Sequence, residues 1–495
     1  MPRLGRCVAL AARLCLAPRV AAAFCGFYVG GADARLFNNA TLVVLMRDGT
    51  RTVLSMQNNY QGPPEDFAMV VPVPVVLQKD NVKTLDRRLF ERVDRLAAPR
   101  LVEYWEQDPC MHANSSDDEA GGVGIRHRGE EGRMGAPTRK AVTVEATFQV
   151  GEYDVVILSA EEAGALDAWI REHGYKIPEG AAEALRPYVQ AGMKFFVAKV
   201  NIGQVHVRPN GTATLSPLRF HYDSESFSLP VRLGLLNSGG VQDLVVHVLA
   251  RSQRYEVANY PNAYVPTNID VRDGVRESFG SFYAALFDAT LARNPGAVVT
   301  EYAWGANSCD PCPAHALKSE ELLALGLDVA PSYQSTQNLD QVRALEFDMV
   351  LTRLHARYPK DGLGEDLIFR AAPPIVGGRE DTPPGAHPAE DEVHHFQARY
   401  AIRHPWTGRI RCDVPPRGIW GGPPDDETPR FRSARSLSDD ERAFDLAAHI
   451  AVNVPEIGLM ARSPGCSCAA SDPRELPPAL LLLLAALPRR RRPRA

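Results

Sequence analysis

The chain has no apolar run long enough to cross a bilayer as a helix, which takes ~20 residues. Its mean hydropathy over 495 residues is −0.21, which excludes a polytopic membrane protein. Basic charge is also missing from the middle. The formal net charge is −5, yet the first 23 residues hold Arg3, Arg6, Arg13 and Arg19 and no acid, and the last seven hold five arginines and no acid. Setting those cations aside leaves −14 for the rest of the chain. Such a body excludes nucleic acid as a partner, because phosphate binding uses a basic patch that releases counterions. Catalytic signatures are absent as well. There is no Gly-x-Ser-x-Gly, no His-Glu-x-x-His, no phosphate loop ending in Lys-Ser/Thr, and no repeat. Covalent haem is excluded because Pro313 follows Cys312.

The ends carry what the middle lacks. "MPRLGRCVALAARLCLAPRVAAAFCGFY" opens with Arg3 and Arg6, continues into a short apolar stretch, and offers small residues at Ala21–Ala23 for cleavage. That is the grammar of a secretory signal over residues 1–23. Phe24 is too bulky to make Cys25 a lipoprotein cysteine. The C-terminus reads Gly465-Cys466-Ser467-Cys468, a polar spacer, nine apolar residues from Ala479 to Leu487, then Arg489, Arg490, Arg491, Arg492 and Arg494. Arginines after an apolar rod hold that end on the cytoplasmic side and leave the body outside. Nine apolar residues are too few to span, so the cysteines carry the anchoring. The linker with its Cys motif spans 456–478, and the apolar and arginine-rich tail spans 479–495.

Export implies an oxidising compartment, where body cysteines form disulfides. Without the leader and the tail pair, five remain: Cys25, Cys110, Cys309, Cys312 and Cys412. An odd count leaves one unpaired, and spacing does not say which.

The body, residues 24–455, reads as α+β, with mixed and mostly antiparallel sheets, inserted helices and disordered surface loops. "TLVVLMRDGTRTVLSMQN" is a hairpin around Asp48-Gly49, and "VTVEATFQVGEYDVVILSA" a second one around Gly151. Pro72 and Pro74 place "FAMVVPVPVVL" at a sheet edge or leaving one. Two helices follow, the first with Ser159 as N-cap and Glu162 completing a capping box. A further helix, "ESFGSFYAALFDATLAR", leads into the strand "AVVTEYAW", and later strands lie in "FDMVLTRLHARY", "DLIFRAA" and "HFQARYAIRHPW". Residues 111–140 read as a disordered insertion, and 372–392 and 421–441 as loops rich in Pro, Gly and charge. A subdivision near residue 295 and a single continuous sheet are both open.

Few constellations suggest chemistry. Cys309-Asp310-Pro311-Cys312 follows a strand and precedes a helix, the setting in which a helix dipole activates a thiol. Pro313 and Ala314 delay that helix until after Ser319, so a structural disulfide is the leading reading and thiol–disulfide exchange the alternative. Cys309, Cys312 and His315 have metal-like spacing, but a structural zinc needs a fourth ligand, from His355 or Cys412. No metal and no cofactor is expected. His394 and His395 face opposite sides of a strand and, with His404, make a poor chelate. Asp33 and Asn38 lie in a close-packed glycine-rich turn that could line a pocket, while Glu65 and Asp66 are solvated neighbours.

The stretch "FCGFYVGGADARLFNNATLVVLMRDGTRTVLSMQNNYQGPPEDFAMVVPVP", with "LVEYWEQDPC", "YAWGANSCDPCP" and "RYAIRHPWTG", resembles the bacterial family known as domain of unknown function 2330 over roughly residues 24–420. The tail resembles the myxobacterial sorting signal MYXO-CTERM. The first resemblance implies an exported envelope protein and supplies no catalytic residues. The second implies cleavage by a dedicated intramembrane protease and surface anchoring at a modified cysteine. The expectation is an exported, surface-anchored envelope protein with a binding or structural role. Its partners would be a membrane, reached through the tail, the processing protease and an envelope ligand. The alternative is an oxidoreductase using Cys309 and Cys312.

Overall fold

The computed structural model describes residues 27–29, 41–57, 68–110, 142–173, 180–204, 215–236, 241–310, 312–313, 315–359, 362–378, 382–423, 431–433, 444–454 and 457–461. Cys25, Asp33, Asn38, Glu65, Asp66, the 111–140 insertion, Gly465, Cys466, Cys468 and Arg489 to Arg492 lie outside them.

The first hairpin forms as its turn chemistry dictates. Thr41–Asp48 pairs with Arg51–Gln57, closing at Asp48 opposite Arg51 with Gly49 at φ 59°. This hairpin lies within an eleven-stranded sheet. On one side it meets Leu218–Asp223 and Val82–Thr84. On the other, Thr41–Asp48 runs parallel to Gln242–Arg251, which pairs antiparallel with Met349–Tyr358 and, through it, with Val298–Gly305. The sheet therefore draws strands from both sides of residue 295. Most of its pairings are antiparallel, so the α+β reading holds.

Every residue of Met349–Tyr358 is buried, so both faces of the central sheet are covered. One face presents Val43, Leu45, Leu54, Val246, Val248 and Leu354 to a five-stranded sheet that contributes Met69, Val71, Val155, Ile157 and Phe196. The outer face of that second sheet carries the helices Ala163–Glu172 and Ala181–Gln190, packed through Leu166, Ile170 and Leu185. The opposite face of the central sheet carries the helices Arg87–Ala97 and Ser319–Leu325, packed on Val44, Met46, Trp304 and Leu351. The stack is helix, sheet, sheet, helix. At one end the helix Phe279–Arg293 joins the central sheet to a smaller sheet built on Arg100–Glu106 and Arg399–His404.

Several expectations need correction. The helix Arg87–Ala97 was not foreseen, although Asp86 caps it by accepting from the Arg88 N–H and Leu89, Phe90, Val93 and Leu96 form its buried stripe. Ser159 is not an N-cap. It belongs to the strand Tyr153–Ala160, pairs opposite Thr143 and Lys194, and bonds Glu145; the helix starts at Ala163 after Glu162. Sheet pairing on both sides outcompetes the capping box. The 372–392 stretch is not a simple loop. Ile375–Gly377 and Ala389–Glu390 extend the edge of the central sheet. Pro72 lies within the strand Ala68–Val73, opposite Phe195, and Phe27–Val29 pairs with residues 68–70 on the other side, so that strand is not the edge of its sheet there.

A chain of buried charges crosses the helix-covered face of the central sheet. Arg353 donates to Glu301 at 2.5 Å and is bridged to Asp94 of the helix Arg87–Ala97. His355 contacts Glu301 at 2.9 Å through Nδ1 and Asp243 at 3.2 Å through Nε2. Arg357 bridges Asp243 at 3.5 Å and donates to Asp288 at 3.0 Å. Tyr283, from the long helix Phe279–Arg293, donates to Glu301. Burial alone would raise the Glu301 carboxyl, but His355 and Arg353 outweigh it and hold it at about 2. Burial alone would lower His355, but Glu301 and Asp243 raise it to about 9.

Arg353→Met leaves Glu301 and Asp94 buried without their cation and should cost about 3–5 kcal/mol in denaturant unfolding. The pH dependence has a definite sign. The His355 contribution is complete below its ordinary value of 6.5 and is lost as pH rises through about 9. The unfolding midpoint of the wild type should therefore fall across that window. His355→Gln should flatten the slope there.

Candidate functional site

The Cys309-x-x-Cys312 segment follows the strand Val298–Gly305. Trp304 stacks on His395 at 4.4 Å between ring centres and donates to the Ser308 hydroxyl at 3.2 Å. Cys309 and Cys312 are bonded to each other, with Cα atoms 4.9 Å apart. Cys312 is exposed and Cys309 half-buried. The helix Ser319–Leu325 starts well beyond Cys312, so its N-terminus is not at the thiols. The metal-like spacing does not assemble either. Its two cysteines bond each other, Cys412 bonds Cys110, and His355 lies within the buried charge chain. The three later histidines diverge. His394 is held down at about 4, chiefly by burial, His395 goes to Trp304, and His404 bonds Glu103 at 2.9 Å and stacks on Trp105.

The middle of the charge chain holds strongly shifted groups but is sealed, while its far end reaches the part-exposed Asp288. Both His355 nitrogens are occupied, and no member of the Arg353, Glu301, His355 triplet exceeds 2% side-chain exposure. It organises the interior and offers nothing to a ligand.

The end of the smaller sheet is different. Arg100–Glu106 and Arg399–His404 run parallel, with Tyr104 beside Arg403 and Trp105 beside His404. Arg399 donates to the Tyr104 hydroxyl at 2.9 Å. Arg403 lies 5.6 Å from the Tyr104 ring centre and 4.9 Å from that of Trp420, within cation–π range, and donates to Asp270 at 2.9 Å. A loop over 405–419 joins Arg399–His404 to the short strand Trp420–Gly421, which pairs back on Glu106 and Trp105.

That loop is fixed at three points. Glu106, 6% exposed, accepts two bonds from Arg417 at 2.7 Å each, one from the Gly418 N–H at 2.9 Å and one from the Trp406 N–H at 2.9 Å. Arg417 first, then those two backbone N–H groups, hold the Glu106 carboxyl at about 2. The third point is the Cys110–Cys412 disulfide, Cα atoms 5.6 Å apart, which ties the residues just after Arg100–Glu106 to the middle of the loop. Glu106, Arg417, Arg399, Arg403, Tyr104 and Trp420 were not singled out from sequence. The available signal was the alternation of arginine and aromatic residues in "RYAIRHPWTGRIRCDVPPRGIW".

Fold and site together define a disulfide-stapled helix–sheet–sheet–helix protein with an exposed loop pinned by Glu106 and by the Cys110–Cys412 bridge. The chain belongs to the family described as an uncharacterized protein conserved in bacteria, DUF2330, whose model matches residues 19–370. No curated protein and no solved structure matches it. The match stops short of residue 420, so Tyr104 and Glu106 fall inside it while Arg399, Arg403 and the loop fall after it.

The loop should release in acid. Glu106 contributes stability that is present above its ordinary value of 4.5 and is lost as pH falls through about 2. The fluorescence of Trp406 and Trp420 should change in that window before global unfolding. Glu106→Gln should give the same change at neutral pH.

Proposed function

We propose that the protein is an exported binding or structural component of the cell envelope, held at a membrane by its C-terminal segment. The observation that carries the binding part is the loop over 405–419, exposed yet fixed by a disulfide and by the Glu106 carboxylate. A pre-ordered loop loses little entropy when a ligand meets it. Four cysteines in two pairs suit an oxidising compartment, in keeping with a leader over residues 1–23. The order of Cys466 and Cys468, apolar stretch and arginines supports anchoring after proteolytic processing.

Thiol–disulfide exchange at Cys309 and Cys312 is the second reading, favoured by the exposure of Cys312. Against it, the pair lacks a helix N-terminus to lower a thiol pKa.

Two measurements test these readings. Replacing both Cys466 and Cys468 with alanine should release the protein from the membrane fraction or trap its precursor, and unchanged fractionation would sink the anchoring reading. A Cys309–Cys312 reduction potential below roughly −300 mV is expected for a structural bridge, whereas a markedly higher one would favour exchange.

A further inference from the structure

The 405–419 loop combines two properties that seldom coincide on the surface of an acidic protein. Val414 is 86% exposed, and Ile410 and Ile419 are 41% and 36% exposed. Around them Arg409 and Arg411 are exposed and form no ion pair among the described residues, while Asp413 is the one exposed acid in the loop. Arg417 is engaged by Glu106. Apolar residues interleaved with unpaired arginines match the interfacial layer of an anionic bilayer, where aliphatic side chains enter the acyl boundary and guanidinium groups meet lipid phosphates. Elsewhere the chain is acidic, at −14 outside its two basic ends, so a negative surface repels most of it. An acidic protein would satisfy the arginines but would leave Val414 without an apolar environment.

The path of the chain agrees. Ile450 bridges to Val271, directly after Ile269–Asp270, which pairs with Arg399–His404. The segment that leads towards residues 462–495 therefore packs on the same sheet that carries the loop.

We infer that the 405–419 loop is a second membrane contact, in which Val414 and Ile410 enter the interface of an anionic lipid surface and Arg409 and Arg411 pair with its phosphates. The inference rests on the membrane-bound reading above, but it concerns different residues. The test is co-flotation of the full chain with vesicles of phosphatidylcholine alone or with a quarter phosphatidylglycerol. Binding should need the anionic lipid and weaken with salt. Arg409→Gln and Arg411→Gln should each weaken it about fivefold, and Val414→Asp should reduce it to what the arginine-rich tail supplies alone, with no change in thermal midpoint. The Cys466→Ala, Cys468→Ala variant should still bind anionic vesicles in vitro. Equal binding to both vesicle types, or loop variants that bind like wild type, would overturn the inference while leaving tail anchoring intact. Retained loop-dependent binding in a protein whose tail variant fractionates normally would uphold the inference and remove the tail reading. Binding to an acidic peptide without binding to vesicles would also overturn it.

Discussion

The guanidinium of Arg353 sits between Glu301 and Asp94 with 1% of its side chain exposed, and the helix-covered face of the central sheet is organised around that position. Its partners come from a neighbouring strand and from a helix on the covering layer. Through Glu301 and His355 the chain of charges reaches Asp243 on a third strand, and Tyr283 draws in the long helix. Burying each ion costs several kcal/mol unless all its partners are in place, so the strands and helices must reach their positions together. The register is tied to the same condition. A one-residue slip of Met349–Tyr358 would turn Arg353 into the space now filled by Leu354, in the apolar layer between the two sheets. A slip would thus leave buried charges without partners, which sets the network against other pairings.

A strongly shifted histidine between two carboxylates is the usual mark of an active site. Here the same geometry reads otherwise because each donor and acceptor of the imidazole is already matched and solvent does not reach it. Glu106 offers the contrast. It also accepts several bonds and is also held at about 2, but its partners belong to an exposed loop. In the first case a carboxylate orders the interior. In the second it orders a surface.

Much of the fold could be read from local pattern. Both early hairpins, the long helix Phe279–Arg293 and the start of the helix at Ser319 follow from turn residues and periodicity. The failures share a cause in long-range pairing. Ser159 had a capping signature but was claimed by two neighbouring strands. The Pro- and Gly-rich stretch after Ala372 looked like a loop but found a sheet edge. The alternation of Arg353, His355 and Arg357 in "TRLHARY" shows that one strand face is polar. It does not show that this face is covered by helices, because the acids that neutralise it come from positions as distant as Asp94 and Asp288. The site was hidden for the same reason. Glu106 and Arg417 meet only because parallel strands and a disulfide with a sequence separation of 302 bring their segments together.

The end of the family match at residue 370 does not coincide with the end of the fold. Tyr400, Ile402, Ile450 and Val454 lie in one buried cluster with Leu101, Val299, Phe282 and Phe287, residues from inside the matched region. Removing the later segment would expose that cluster and strip Arg100–Glu106 of its parallel neighbour. The Cys110–Cys412 bridge fastens the two parts covalently. The segment beyond residue 370 therefore completes the core and also carries the exposed loop. A loop held by a buried carboxylate and a disulfide can vary at its tip without disturbing the layers beneath, since Val414, Arg409 and Arg411 are exposed while Glu106 is not. That division between a fixed base and a free tip is the physical condition for a surface that changes its partner while the fold stays the same.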